Sequence, residues 1–385
     1  MKVSKALGIE RQNVSLVYRI YYAFLCSGFM STLLGVLLPS MQAEYGMSYT
    51  LSGAVLSAHQ IGNLFAVIIA GFLPYLIGRK QCTLLMSSGI ILGLIMMTIT
   101  GNPLLLLIAF ALTGIGRGSL SNITNVVVSE NCSNRTAGMN VLHSCFAVGA
   151  FVSPFVAIAV TKIEWRIAAW IFSATMLLAW ILIGTSTLSA EKSVKTSTDY
   201  PFYKSVDYWV NVALLFFYLC SEGSLTGWLV TYFKDAGIMS MEIAQVMQSV
   251  LWIMILCGRM SCAFLSDKVF KPGLILFLGI MMALSFVLMI LSENIVLIVI
   301  GLLGVGFFMS GIYPTTFSTM DKKFNSSTVA TGTCIGVATL GAIIMPMVIG
   351  AVADRAGIVG GVSTLSVALV CMVVLMAVKF IRARR

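Results

Sequence analysis

The chain has 385 residues, of which 59% are hydrophobic and only 10% are charged. Soluble globular domains carry about 25% charged residues, so this composition excludes a soluble domain and indicates an integral membrane protein. The net charge of +10 does not indicate a nucleic-acid-binding protein, because the lysines and arginines are spread over several loops and form no continuous basic stretch.

Apolar segments long enough to cross about 30 Å of hydrocarbon recur along the whole sequence. They predict twelve transmembrane helices, near residues 18–39, 50–73, 82–100, 104–128, 138–160, 166–187, 209–232, 241–265, 273–291, 295–318, 328–352 and 359–380. The loops between them are short and leave no room for a soluble catalytic or signalling domain. The predicted fold class is therefore all-α, an integral membrane protein with twelve transmembrane helices.

The orientation of these helices is predicted by the positive residues, because short cytoplasmic loops retain Lys and Arg during insertion. Most of the 24 lysines and arginines fall in the segments that are inside when the amino terminus is inside. We therefore expect a multi-pass protein of the cytoplasmic (inner) membrane with both termini in the cytoplasm. The first apolar segment has no small-residue cleavage site, so it is interpreted as a retained helix.

The sequence contains no pattern typical of a metal site, a disulfide framework or an enzyme. The nine cysteines include no C-x-x-C pair, and the two histidines form no cluster with ligand spacing. No nucleophile and base stand in a catalytic arrangement. We expect no metal, no cofactor, no disulfide and no enzymatic activity.

An internal repeat divides the chain into halves. The segment "TAGMNVLHSCFAVGAFVSP" at 136–154 aligns without gaps with "TVATGTCIGVATLGAIIMP" at 328–346, which includes Gly149 on Gly341 and Pro154 on Pro346. Transporters are often built from such duplicated bundles. The predicted domains are an N-terminal six-helix bundle at 1–187, a cytoplasmic linker at 188–208 and a C-terminal six-helix bundle at 209–385.

Six plus six helices with a central cytoplasmic loop resemble the major facilitator superfamily. In that family the loop after the second span reads G-x-x-x-D-x-x-G-R-K/R, and this sequence matches at four positions but has Tyr75 in place of the acid. The resemblance implies alternating access and a cytoplasmic gate. The residues assigned to gating are Gly71, Gly78, Arg79, Lys80, Glu130, Arg259, Asp267, Lys268 and Lys271.

Two segments narrow the resemblance further. "NVLHSCFAVGAFVSP" and "SEGSLTGWLVTYF" are similar to the fucose/galactose/glucose permease branch, which implies a sugar as substrate. The proton symporters of that branch carry a membrane glutamate soon after the glycines of the fourth span. Here the region reads "GIGRGSLSNITN", with Ser119 or a neighbour at that position, so their proton-coupling scheme does not transfer directly.

Polar side chains within the predicted spans are the candidates for substrate contact, because such groups face the bundle interior or a watery cavity. Amides offer donors and acceptors to sugar hydroxyls, and aromatic faces pack against the apolar side of the ring. The predicted substrate-binding residues are Gln60, Asn63, Asn122, Asn125, Asn140, His143, Glu222, Trp228, Gln248, Trp252 and Tyr313.

Each of these assignments has a structural alternative. Membrane amides also form hydrogen bonds that hold neighbouring helices together. Trp228 stands near the outer end of its span, where tryptophans anchor helices at the membrane interface. The histidines, His59 and His143, are interpreted as structural in preference to proton relays.

Small residues and prolines in the spans are interpreted as structural. Glycines allow close helix approach in membranes, and prolines bend or end helices. The glycines concerned are Gly28, Gly35, Gly149, Gly223, Gly227 and Gly341, and the prolines are Pro39, Pro154, Pro314 and Pro346.

Glu222, an acid in the middle of an apolar span, has three interpretations. It is a proton-coupling acid, a hydrogen-bond acceptor for sugar hydroxyls, or the ion-pair partner of Arg117 in the fourth span. An anionic substrate is the alternative partner for Arg117. The coupling ion is H⁺ in the first interpretation, and Na⁺ stays open.

The predicted function is secondary active transport of a small polar solute, a sugar or polyol, by a monomer in the lipid bilayer. The alternative is an exporter of drug-like compounds or a transporter of organic anions. Twenty-three methionines and 22 phenylalanines, which suit an adaptable apolar pocket, favour the drug exporter.

Overall fold

The computed structural model describes residues 7–70, 73–188, 202–265, 268–321, 324 and 328–384, and these residues are nearly all helical. The helices of the first half are α1 (Val14–Tyr45), α2 (Tyr49–Ile69), α3 (Leu73–Ile77), α4 (Arg79–Ile99), α5 (Pro103–Asn131), α6 (Arg135–Thr161) and α7 (Trp165–Gly184). Those of the second half are α8 (Val206–Asp235), α9 (Met241–Leu265), α10 (Lys271–Leu291), α11 (Ile295–Met309), α12 (Ile312–Ser318), α13 (Thr328–Ser363) and α14 (Leu365–Arg384).

The described residues contain eleven helical stretches that are long and apolar enough to cross a membrane. The longest, Val329–Arg384, has 56 residues. At 1.5 Å per residue it would measure about 84 Å, far more than one bilayer needs. It combines α13 and α14 and corresponds to the last two predicted spans, so the predicted twelve-helix membrane fold is confirmed.

Local sequence signals explain where several helices begin. The Asn102 side chain accepts hydrogen bonds from the amides of Leu104 and Leu105, and Pro103 occupies the first helical position of α5. Such caps satisfy amide groups that have no partner within the helix. At the other end of a helix, Gly46 adopts φ 60° after α1, a conformation that glycine reaches without strain.

The tenth predicted span, 295–318, is not one continuous helix. It is divided at Ser310 and Gly311 into α11 and α12. Pro314 lacks the backbone N–H that would bond to the carbonyl of Ser310, so the helix loses a hydrogen bond at this point. Pro39, Pro154 and Pro346, in contrast, lie inside helices that continue past them.

The chain divides into two compact units. The first comprises Met1–Met47 and Ala54–Ser193, and the second comprises Ser48–Gly53 and Val194–Arg385. The boundary therefore falls within α2, whose first five residues belong to the second unit. Most of the predicted linker, 189–201, lies outside the described residues, and the predicted domain limits stay a prediction.

Close helix pairs form the core of each unit. In the first unit, a methyl group at Gly149 of α6 would overlap the Leu25 carbonyl oxygen of α1. In the second unit, a methyl group at Gly341 of α13 would overlap the Phe216 carbonyl oxygen of α8. The predicted role of Gly28, Gly149 and Gly341 in close helix approach is confirmed, because all three face backbone atoms of a neighbouring helix.

Candidate functional site

The polar site of the second unit is centred on Glu222 of α8 and Arg259 of α9. Glu222 Oε1 lies 3.8 Å from Arg259 Nη2, and the two side chains are 21% and 44% exposed. This is a loose ion pair, partly open to solvent. Arg259 was predicted as a gating residue, and its contact with Glu222 adds an electrostatic partner that the sequence did not indicate.

Two tyrosines complete this charged group. Tyr218 lies one turn before Glu222 on α8 and is buried, and its hydroxyl interacts electrostatically with both Glu222 and Arg259. The Tyr218 ring centroid is 5.8 Å from that of Tyr313, which stacks on Phe317 with an interplanar angle of 9°. Tyr218 was missed from the sequence, although its i, i+4 spacing to Glu222 places both on one helix face.

Gln248 of α9 connects to α8 through its amide. Its Nε2 donates a hydrogen bond to the Thr226 carbonyl oxygen at 3.3 Å. The side chain is fully buried, and its Oε1 has no hydrogen-bond partner among the described residues. One turn further along α9, Trp252 is also buried.

Trp228 lies two residues after Thr226 on α8. Its side chain is 1% exposed, and its Nε1 has no hydrogen-bond partner within the described part of the chain. The ring centroid of Tyr49 is 6.2 Å from that of Trp228. The interpretation of Trp228 as an anchor at the membrane interface is therefore wrong, because an interfacial anchor needs an exposed ring.

The polar residues of the first unit include a buried histidine. His59 Nδ1 lies 2.9 Å from Thr113 Oγ1, which joins α2 to α5. A methyl group at Gly114 would overlap the His59 carbonyl oxygen, so the two helices are in close contact at this level. These contacts support the structural interpretation of His59.

Arg117 of α5 lies in the same unit. Its Nη2 donates to Ser31 Oγ at 3.4 Å, and its guanidinium lies 6.0 Å from the centre of the Phe146 ring. Arg117 and Glu222 belong to different units, and the predicted ion pair between them stays a prediction.

The predicted substrate-binding amides of the first unit differ from one another in burial. The Asn125 Oδ1 atom is buried without a hydrogen-bond partner among the described residues, while Gln60, Asn63 and Asn122 are half-buried. Asn140 is exposed, as is His143, whose ring packs edge-on against Phe24 at 5.6 Å. A substrate contact at each of these positions remains a prediction.

Among the predicted gating residues, the structure brings Arg79 and Glu130 together. Arg79 donates two hydrogen bonds to the Glu130 carboxylate, at 2.8 and 3.2 Å, and is only 6% exposed. Lys80 donates to the Ser186 carbonyl oxygen at 3.0 Å. Both contacts lie at the end of the first unit that the charge distribution predicts to be cytoplasmic.

The remaining gating predictions are not decided. Gly71 and Asp267 lie outside the described residues. Gly78 precedes α4 with φ 85°, Lys268 lies between α9 and α10, and Lys271 is the first residue of α10.

No group of three or more His, Cys, Asp or Glu side chains that could hold a metal ion occurs in the ranges that the structure describes. The chemistry available at this site is hydrogen bonding, aromatic packing and one ion pair.

Comparisons with known proteins agree with this architecture. Residues 20–335 match the Major Facilitator Superfamily. An uncharacterized MFS-type transporter of Yersinia pestis is 25% identical over 365 residues, which covers 92% of this chain and 91% of the relative.

Among solved structures, a D-xylose–proton symporter is similar, with a TM-score of 0.76 at 13% identity over 96% of this chain and 97% of the symporter. The nucleoside transporter NupG has a TM-score of 0.74 at 14% identity over 97% of this chain and 99% of NupG. At such identities the two structures show the fold alone. Because the family match spans most of the sequence, the chain belongs to the Major Facilitator Superfamily of membrane transporters.

Proposed function

We propose that this transporter moves a small hydroxylated solute, a sugar or a related polyol, across the cytoplasmic membrane. The proposed mechanism is alternating access, in which the binding site opens to each side of the membrane in turn. The side chains of α8 and α9 support a sugar over other solutes.

The observation that carries this proposal is that Gln248 and Trp228 each bury a polar atom that has no hydrogen-bond partner in the described residues. Gln248 Oε1 is a buried acceptor and Trp228 Nε1 a buried donor, and both are without a hydrogen-bond partner in the described residues. Buried polar groups are almost always satisfied, so such atoms are expected to meet a ligand or ordered water. A sugar hydroxyl both donates and accepts, and it can therefore satisfy either atom.

The charges of Glu222 and Arg259 favour a neutral solute. Glu222 and Arg259 form an ion pair, so neither charge requires a compensating charge on the substrate. Tyr313, stacked on Phe317, supplies an aromatic surface near this pair that suits the apolar face of a sugar ring.

Coupling to H⁺ is proposed to involve Glu222, the acid of this ion pair. The carboxylate is partly exposed, so protons from solvent have access to it. Protonation would break the attraction to Arg259, which gives the site two states that differ in charge. Na⁺ is the alternative coupling ion, and the experiment below separates the two.

The test is uptake of labelled hexoses into proteoliposomes with an imposed proton gradient, a sodium gradient or no gradient. Wild type is compared with Glu222→Gln, and Glu293→Gln serves as the matched control because Glu293 is exposed between α10 and α11. We expect accumulation driven by the proton gradient, lost in Glu222→Gln and retained in Glu293→Gln. Unchanged accumulation in Glu222→Gln would exclude this residue from coupling.

The absence of hexose uptake and of hexose counterflow would contradict the sugar proposal. Organic anions would then be tested, with Arg117→Gln as the decisive variant, because Arg117 lies in the middle of a predicted span of the first unit. Inhibitor-sensitive efflux of a fluorescent dye would instead favour an exporter of drug-like compounds.

A further inference from the structure

The first turn of α2 is capped by a residue more than 300 positions away in the sequence. The backbone amides of Tyr49 and Thr50 donate to the two carboxylate oxygens of Asp354, at 2.8 and 2.9 Å. The amide of Leu51 donates to the local cap, Ser48 Oγ, at 3.1 Å. Three of the four amides that a helix start leaves without a helical partner are satisfied in this way.

The Tyr49 side chain adds a second attachment. Its hydroxyl donates to Asp235 Oδ2 at 3.0 Å, and Lys234 Nζ lies 3.1 Å from the other oxygen of Asp235. The Tyr49 ring packs near Trp228, whose side chain is buried. The turn therefore covers a residue that we propose to contact the substrate.

Two glycines make this packing close. A methyl group at Gly53 would overlap the Pro346 carbonyl oxygen, and one at Gly350 would overlap the Tyr49 carbonyl oxygen. Backbone lies against backbone at both positions, so even one added methyl group would push the turn away.

This turn and the rest of α2 belong to different compact units. Residues Ser48–Gly53 belong to the second unit, whereas α2 from Ala54 onward belongs to the first. Asp354 is exposed, so water competes for its carboxylate oxygens. Contacts of this kind are made and broken more readily than those of a buried core.

We propose that residues Tyr49–Gly53 form a latch that closes over Trp228 and that Asp354 holds this latch closed. Opening of the latch frees the Tyr49 and Thr50 amides and uncovers the face of Trp228. The charge distribution predicts that this end of the helices faces outward, so the latch controls access from outside. This inference rests on the proposed function for the role of Trp228, but the attachment of the latch is tested without substrate.

The first arm measures amide hydrogen exchange at Tyr49 and Thr50 in the full-length protein in detergent micelles. Wild type is expected to exchange faster at these amides than in the α2 interior, because the latch opens. Asp354→Ala is expected to increase the exchange rates at least about tenfold, since each amide loses a hydrogen bond to a charged group. Asp207→Asn, which alters an exposed ion pair with Arg382 in the same unit, is the control and should match wild type.

A glycine pair gives an independent variant that leaves Asp354 intact. Gly350→Ala is expected to raise exchange across Tyr49–Gly53, because the new methyl group occupies the position of the Tyr49 carbonyl. Gly336→Ala is the matched control on the same helix, since a methyl group there meets no described atom within 4 Å. A cooperative thermal transition near that of wild type shows that each variant is folded.

The second arm measures gradient-driven accumulation of labelled hexose in proteoliposomes. Asp354→Ala and Gly350→Ala are expected to reduce accumulation several-fold, because a latch that stays open lets the solute leak back. Exchange at Tyr49 and Thr50 as slow as in the α2 interior, or unchanged by Asp354→Ala, would overturn the latch. Faster exchange with wild-type accumulation would overturn its role in transport. If wild type moves no hexose, the sugar proposal fails, and the exchange arm alone still decides whether Asp354 holds the turn.

Discussion

Gln248 combines a satisfied donor and an unsatisfied acceptor in one buried side chain. If its Oε1 binds a solute hydroxyl, Gln248→Leu should weaken hexose binding at least about tenfold, the cost of one lost hydrogen bond at a buried site. The measurement is the concentration dependence of counterflow in proteoliposomes. Gln81→Leu, at an exposed position on α4, is the control. An unchanged half-saturation concentration for Gln248→Leu would remove this residue from the binding site.

The contact between Arg79 and Glu130 depends on the shape of the guanidinium as much as on its charge. Lysine cannot make the two parallel hydrogen bonds that Arg79 donates to Glu130. Arg79→Lys is expected to lower the stability of the first unit by about 1 kcal/mol, a value reduced for the partial exposure of Glu130. The midpoint of thermal unfolding reports this loss.

The control for Arg79 is Arg355→Lys, at an exposed position near the end of α13. Equal unfolding midpoints for the two variants would show that the bidentate geometry contributes nothing. A lower midpoint for Arg79→Lys with unchanged transport would mean that the pair is structural and takes no part in gating.

At the scale of helices, Gly149 and Gly341 play the same part in the two halves. They align in the internal repeat, and each brings its helix against a carbonyl of the first long helix of its half, Leu25 in α1 and Phe216 in α8. The repeated sequence thus produces a repeated helix contact. Only residues without a side chain permit this approach.

Alanine at either glycine should force the helix pair apart. We expect Gly149→Ala and Gly341→Ala each to cost about 1–3 kcal/mol, the usual effect of overpacking a tight contact. Gly336→Ala, on the same helix as Gly341 but in open space, should have little effect. Thermal unfolding in detergent distinguishes these outcomes, and equal midpoints for Gly341→Ala and Gly336→Ala would contradict the packing argument.

Helix limits were predictable from hydropathy where the apolar segment ends at a turn signal. Asn102 and Pro103 mark the start of α5, next to the predicted start at 104, whereas α1 continues to Tyr45 and Gly46, six to seven residues past the predicted end at 39. Hydropathy did not predict the break at Ser310 and Gly311, because it continues through these residues, whereas Pro314 was interpreted as a residue that bends or ends a helix. The helical stretch Thr328–Ser363 is kinked at Gly357, which adopts φ 74°, and this glycine lies between the last two predicted spans, 328–352 and 359–380.

At the scale of the whole molecule, the orientation in the membrane is the simplest property to test. A green fluorescent protein fused after Arg385 is expected to fluoresce, because the carboxyl terminus is predicted to be cytoplasmic. Alkaline phosphatase fused after Glu293, in a loop predicted outside, should be active. Green fluorescent protein fused after Glu293 and alkaline phosphatase fused after Arg385 should both be inactive. Activity of these two fusions would reverse the predicted topology.

The membership of the candidate site was more predictable than its pairing. Glu222 and Gln248 were selected from the sequence as substrate-binding candidates because polar side chains in apolar spans are costly. Trp228 was selected as an aromatic surface for a sugar ring, and Arg259 as a gating residue. The contact between Glu222 and Arg259 was not predicted, since the two residues lie on separate helices and no spacing rule connects them. The cap that Asp354 provides was not predicted either, because Ser48 already supplies α2 with an ordinary local cap.

The long-range cap has a consequence for the order in which the protein is made. The ribosome completes α2 about 300 residues before it reaches Asp354, which accepts hydrogen bonds across separations of 304 and 305 residues. During that interval the amides of Tyr49 and Thr50 lack the carboxylate to which they donate in the finished protein. The second compact unit therefore needs residues from the amino-terminal half of the chain. A fragment that starts at Val194 lacks the six residues Ser48–Gly53 that complete its unit, and those residues arrive with the other half.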